Sequence, residues 1–300
     1  MKDEPREGYT IFDKVTIKYY ADESTMMVDF MNGVIDIALG ISESDYNSVM
    51  NGSIPGTAAL VDNRAVCVIN MDVDIGPLTD INLRKAICYG TDIEALTAIS
   101  FGSLAKVATS SLASSSPAYV SGYAYEYNPE LAKQTLAENN IKDVKITWIV
   151  NSGFPATIAE AFQSMMADIG ITVDVQVYDP ATVMQMAMHE GATHLLLDGW
   201  AFGNLENDPY MQYMMLFSNN MNPASRKLDQ KLNNMLNEAR NTMNEEESKA
   251  IYKEVQKYLY DNYYQIPICE WYTSLCFNDT IANCTPVQTT MANLRFITAK

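Results

Sequence analysis

The hydrophobic period of residues 144–200 switches repeatedly between two and 3.6, and no other feature constrains the fold as strongly. Residues 144–150 (VKITWIV) read as a strand. Ile158, Phe162, Met165, Met166 and Ile169 then fall at i, i+4, i+7, i+8 and i+11, which predicts one apolar helix face. Gly170 ends that helix. Residues 171–178 (ITVDVQVY) alternate as a half-buried strand does, 180–189 predict another helix, and 194–200 (HLLLDGW) another strand. Strands that alternate with helices build a sheet with helices on its faces, so the expected fold class is α/β.

The flanking segments extend this pattern. Residues 14–20 (KVTIKYY) predict a strand. Residues 23–32 predict a helix with Met27, Phe30 and Met31 inward, stopped by Gly33, and 34–39 (VIDIAL) a second strand. Residues 51–63 carry Gly52, Pro55 and Gly56 and read as a linker. A buried strand at 66–70 (VCVIN) and a Gly76-Pro77 turn follow. Asp80 is placed to cap a helix through Leu83 and Ile87, and Asp92 to start the next. The Ser-rich stretch 109–121 predicts a flexible surface loop, and Asn128-Pro129 a helix cap with proline at the first helical position. Two helices are expected at 228–240 (Leu228, Leu232, Met235, Leu236, Ala239 inward) and 245–261 (Ile251, Val255, Tyr258, Leu259 inward). An extended stretch begins at Ile266-Pro267-Ile268, and the tail from Thr285 adds one more strand.

Composition narrows function. Three hundred residues, 48% apolar, support a sizeable core without covalent staples. No run of 18 apolar residues occurs, so no membrane-spanning helix is expected. Residues 1–7 are charged and include Pro5, which is not a secretory signal. The chain is therefore either cytosolic or separated from its signal. A net charge of −17 repels phosphate backbones and makes nucleic acid a poor partner.

Chemistry is sparse. Five cysteines, at 67, 88, 269, 276 and 284, contain no C-x-x-C, so a zinc cluster and a disulfide framework are not expected. The cysteines read mainly as small buried hydrophobes, with one pair among the last three left open. The two histidines, His189 and His194, stand at i, i+5, about 140° apart on a helix, and not at the i, i+4 of a zinc-protease helix. A nucleophile elbow, a phosphate loop and a dinucleotide fingerprint are all missing. No catalytic residue, metal ligand or cofactor is expected. Most of the 18 methionines sit where packing explains them.

Seven segments, in order, carry a resemblance. Phe12-Asp13-Lys14-Val15 leads to Phe30-Met31-Asn32-Gly33-Val34-Ile35-Asp36-Ile37-Ala38. Ile69-Asn70-Met71 is followed by Gly76-Pro77-Leu78-Thr79-Asp80-Ile81-Asn82-Leu83-Arg84-Lys85-Ala86-Ile87 and Asp92. Then come Tyr127-Asn128-Pro129-Glu130-Leu131-Ala132-Lys133, Ile169-Gly170-Ile171-Thr172-Val173, Gly199-Trp200 with Asp208-Pro209, and Ile266-Pro267-Ile268. Together they resemble the C-terminal part of the family 5 solute-binding proteins of peptide, dipeptide and nickel ABC importers.

That resemblance implies a class II periplasmic-binding-protein-like lobe, a mixed sheet flanked by helices, plus a remnant of the other lobe. It implies residues 1–62 as first-lobe remnant and linker, 63–274 as the second ligand-binding lobe, and 275–300 as return strand and tail. Family members are longer, with a signal peptide and often a lipid-anchoring cysteine. The implied function is binding of a peptide-like ligand in an inter-lobe cleft by a monomer, outside the cytoplasm, for delivery to an ABC permease without catalysis. The implied ligand-binding residues are Asn70, Asp198, Trp200, Ala201 and Phe202, with Trp200 an apolar wall. Peptide receptors of this type commonly place an Asp three residues after that Trp to pair the ligand's α-amino group. Here position 203 is Gly and 204 is Asn, which leaves Glu206 or Asp208 to supply that anion, with Asn204 also among the implied ligand-binding residues; the other outcome is a ligand without a free α-amino group. Nickel chelates or oligosaccharides are alternative ligands. A stand-alone sensor or interaction module, presenting 228–261 to a partner, is the alternative function.

Overall fold

The computed structural model describes residues 14–187, 195–198, 209–210, 213, 229–282, 284 and 298–299. The chain divides into two compact units, residues 1–63 with 271–300 and residues 64–270. In chain order, unit 1 holds α1 (Glu23–Met31), β1 (Ile37–Leu39), α2 (Glu43–Met50) and the first half of β2 (Thr57–Met71). Unit 2 continues with a 3-10 turn (Gly76–Thr79), α3 (Ile81–Tyr89), α4 (Ile93–Phe101), β3 (Ala105–Val107) and α5 (Pro129–Glu138). It then runs through β4 (Lys145–Asn151), α6 (Ala156–Asp168), β5 (Thr172–Tyr178), α7 (Pro180–Ala187) and β6 (Leu195–Asp198). Two helices, α8 (Gln230–Asn241) and α9 (Glu245–Asp261), precede β7 (Gln265–Phe277), whose second half belongs to unit 1. The short strands β8 (Ile281–Ala282) and β9 (Thr298–Ala299) follow.

In unit 1, β1 runs antiparallel to β7, with Ile37 opposite Phe277 and Leu39 opposite Leu275. The side chain of Asp22 accepts from the Thr25 amide and caps α1; Ser42 does the same for α2 from Asp45. A cap of this kind satisfies one of the four amides a helix leaves free. Met27 and Phe30 of α1 pack with Ala38, Ile41, Val49 and Cys276. Val61, Leu275, Ile281 and Cys284 form a second cluster. Gly56, at φ 136, immediately precedes β2; a Cβ there would stand 2.8 Å from the Phe277 carbonyl oxygen, so only glycine fits this approach.

Unit 2 is built on a mixed sheet with strand order β7-β2-β6-β4-β5, and β3 on β7. β6 lies antiparallel to β2 and parallel to β4, and β4 is parallel to β5 from Lys145–Thr172 to Asn151–Tyr178. Successive strand residues face opposite sides. Trp148 of β4 therefore meets Phe162 of α6 at a 4.6 Å centroid distance, while Ile149 meets Val183 of α7 on the other side. Helices α8 and α9 pack through Leu232, Leu236, Ala239, Tyr252, Val255 and Leu259. The α/β reading and its mixed, helix-flanked sheet hold.

Three local expectations need correction. Residues 14–20 form no strand: their alternation is present, but no described strand lies beside them to supply a ladder. The linker ends at Gly56, because residues 57–63 extend β2 backwards. The Ser-rich loop is partly buried: Ser110, Leu112, Ala113 and Ala118 are inaccessible to solvent, while Ser114, Ser115 and Pro117 are exposed. It can be buried because its polar groups find partners, as set out below. Met31 is also exposed, and the sequence reading passed over α2.

Candidate functional site

The strand end singled out by sequence is β6. Asp198 stands opposite Val68 and Leu196 opposite Asn70, so Asn70 and Asp198 lie on adjoining strands, two residues apart in register. Asn70 itself is only 2% exposed. Its Oδ1 accepts from Gln265 Nε2 at 2.6 Å, while Asn70 Nδ2 and Gln265 Oε1 have no hydrogen-bond partner. The side chain of Asp198, and Trp200, Ala201, Phe202, Asn204, Glu206 and Asp208, lie outside the described residues, as do His189 and His194.

The segment 199–208 is bracketed by two built anchors. Upstream is the β6 ladder. Downstream, Tyr210 Oη accepts from Arg240 at 3.0 Å, with the guanidinium 4.7 Å from the ring centroid. Tyr213 is fully buried and exchanges a 3.0 Å hydrogen bond with Ser111. Burial pushes its phenol pKa well up, so it stays neutral.

Ser111 belongs to the Ser-rich loop, which is held from three sides. Gln256 of α9 donates to the carbonyls of Ala118 and Tyr252, and its Oε1 accepts from Ser110 Oγ and the Val120 amide. Both donors and both lone pairs are used, so this buried amide is fully satisfied. The buried Glu270 accepts from the amide and hydroxyl of Ser114 and pairs with Lys106 at 3.2 Å. Sequence reasoning missed Gln256 and Glu270. Neither stands in a recognisable motif, and only their burial marks them.

The capping block of the sequence, by contrast, proves architectural. Asp80, Asp92 and Asn128 each accept the amide two or three residues on. Arg84 is buried, with Asp80 and Asp74 near enough to favour its charge. It donates to the carbonyls of Leu78 (2.7 Å) and Asn262 (3.1 and 3.2 Å), tying α3 to the end of α9. Burial holds its pKa below the ordinary value.

Asp229 caps α8. It accepts the Lys231 and Leu232 amides and the hydroxyls of Tyr258 (2.6 Å) and Tyr264 (2.8 Å). Burial raises its pKa, but these four bonds outweigh it and hold the carboxyl below the ordinary 3.8. A depressed carboxyl stabilises the fold above its unfolded value, and that contribution is lost as pH falls through the folded value. Unfolding midpoints in urea should therefore drop more steeply between pH ~5 and pH ~3 in the parent than in Asp229→Asn. Equal slopes would remove Asp229 from the acid response.

Chemistry beyond binding has little to work with. Among the described residues no group of three or more His, Cys, Asp or Glu could hold a metal ion. All five cysteines are buried thiols. Burial pushes Cys276 up to about 12 and Cys88 higher, so neither supplies a thiolate near neutrality.

Residues 6–222 match the model of the bacterial extracellular solute-binding proteins, family 5 (middle). The chain belongs to this family. Haemophilus influenzae supplies two similar proteins. Heme-binding protein A is 25% identical over 274 residues, covering 87% of this chain and 49% of that protein. The peptide transport periplasmic protein SapA is 24% identical over 216 residues, 67% of this chain and 37% of SapA. Among solved structures, the ABC transporter substrate-binding protein CtaP of Listeria monocytogenes superposes with a TM-score of 0.83 at 20% identity, covering 93% of this chain and 59% of CtaP. The family 5 chain thus has the periplasmic-binding-protein fold expected from its sequence and spans about half the length of the first of these curated relatives.

Proposed function

We propose that this family 5 chain is the ligand-binding part of an extracytoplasmic receptor that hands a peptide-like solute to an ABC permease, with no chemical step of its own. The family match over residues 6–222 carries the reading. The peptide class is supported by the similarity to SapA; in this reading the ligand pairs with backbone donors and acceptors past the end of β6. An extended peptide pairs with such groups whatever its side chains are, which suits loose selectivity. In this proposal Asp198, Trp200, Ala201, Phe202 and Asn204 line the ligand, and Glu206 or Asp208 receives its α-amino group. Asn70 acts from beneath, through the strand it orders with Gln265. The protein works as a monomer, in the periplasm or held at the cell surface by a lipid. No described helix is long and apolar enough to cross a membrane.

Calorimetric melting in the presence of di- to hexapeptides tests this. A ligand at 100 times its Kd adds about 2.7 kcal/mol to native stability, roughly 5–10 °C in a unit of this size. Peptides should raise the melting point, and Trp200→Ala should abolish the rise. Heme is run beside them because of the heme-binding relative, with nickel–histidine and oligosaccharides as further controls. A shift with one of those and none with peptides would replace the peptide reading. A peptide shift that survives Trp200→Ala would move the site.

A further inference from the structure

Strand β2 changes face part-way along its length, and the change falls at Arg64. Towards the start of β2, Val61 packs with Leu275 of β7, and Asn63 Oδ1 accepts from Thr273 Oγ1 at 2.8 Å. Odd-numbered residues of β2 there share a face with odd-numbered residues of β7. Towards the end of β2, Asn70 meets Gln265, so even numbers of β2 now share a face with odd numbers of β7. Strand side chains alternate with period two, so this exchange needs one extra residue in one of the two strands. Arg64 has the backbone of that residue. Its φ is 51°, the left-handed value that a β-bulge usually gives to glycine. The other described non-glycine residues of positive φ, Asn140, Asp143 and Tyr263, lie outside helices and strands; Arg64 stands inside a strand.

Glycine holds such a bulge without strain, so an arginine kept here points to a use for its guanidinium. Its place says which use. β6 runs antiparallel to β2 and ends with Asp198 opposite Val68, so β6 points along β2 towards Arg64. Arg64 stands four positions before Val68, roughly 13 Å at strand spacing. An extended peptide of about four residues covers that length. The Arg64 side chain is half-buried, and cations are scarce in a chain with 20 Lys and Arg against 37 Asp and Glu. We propose that Arg64 receives the α-carboxylate of the peptide-like ligand, at the end opposite to Glu206 or Asp208. The planar guanidinium fork matches the two oxygens of a carboxylate. Arg64 also interacts within the chain, and the bound carboxylate adds to that set. The inference rests on the peptide reading and makes it narrower: the ligand is a short peptide with a free C-terminus.

Isothermal titration calorimetry on the full 300-residue chain tests it, with di- to hexa-alanine, each as the free acid and as its C-terminal amide. The free acids should bind at least about tenfold more tightly than the amides, the loss expected when a carboxylate leaves a charge-assisted pair. Arg64→Gly and Arg64→Asn both accept a left-handed backbone, so the bulge stays. Each should weaken the acids to within about twofold of the amides and leave the amides unchanged. Equal binding of acids and amides by the parent overturns the inference and leaves the peptide reading standing. So does an acid preference that survives both substitutions. A loss that strikes amides as strongly as acids makes Arg64 architectural and also overturns it. Binding of neither set by the parent overturns the peptide reading, and this inference falls with it.

Discussion

Trp148→Ala should destabilise the protein by about 3–5 kcal/mol, the range for removing a fully buried Trp. Trp148 lies on β4, between β5 and β6, with Val175 and Leu195 opposite it, and it is inaccessible to solvent. Its ring meets Phe162 edge-on at an interplanar angle of 65°. Truncation opens a cavity against β4, where neighbours on both sides are held by ladders and cannot collapse inward. In a unit of this size the loss corresponds to a drop in melting temperature of roughly 8–15 °C. Trp148→Phe separates packing from polarity. Among the described residues the indole Nε1 has no hydrogen-bond partner, and a buried donor left so costs about 1–3 kcal/mol. Phenylalanine removes that donor while keeping most of the ring, so its cost should be near ~1 kcal/mol or less. Differential scanning calorimetry on the two variants checks both. Equal losses would mean that the edge-on ring contributes little beyond what any truncation removes.

Arg84→Met is the second large effect. Methionine keeps the apolar stem and removes the guanidinium that bridges Leu78 and Asn262. A buried carbonyl (Leu78) and a half-buried one (Asn262) then lose charge-assisted partners, each bond being worth about 1.5–3 kcal/mol, and the losses are not additive. Urea unfolding should show a loss of about 2–4 kcal/mol. Arg84→Lys should recover only part of this, because one ammonium cannot reproduce the fork that spans both carbonyls. Full recovery by lysine would show that charge, and not the geometry of the fork, holds α3 to the end of α9.

The sequence reading succeeded where the cause of structure is local. Asp80, Asp92 and Asn128 cap their helices because a short polar side chain reaches an amide two or three residues away, and nothing distant is needed. The apolar stripe of α6 and the alternation of β5 are likewise properties of a few turns of chain. It failed where a partner decides. Residues 14–20 and 171–178 have the same period, yet only the second finds a neighbour, β4, to pair with. The Ser-rich loop is polar enough to be solvated, and is partly buried because Gln256 and Glu270, more than a hundred residues away, supply its bonds. Of the implied ligand residues, Asn70 was placed on the right strand by its motif, but its link to Gln265 spans 195 positions and no local pattern announces it.

By itself, then, the sequence determined the α/β class, the helix starts and the order of motifs that marks the family, since these depend on period, on caps and on short strings of residues. The tertiary structure alone decided which alternating segment becomes a strand, how far β2 extends beyond its apolar centre, and which polar groups go inside. Each of those outcomes depends on a hydrogen-bonding partner brought close by folding, and a pairing free energy is a property of two segments together.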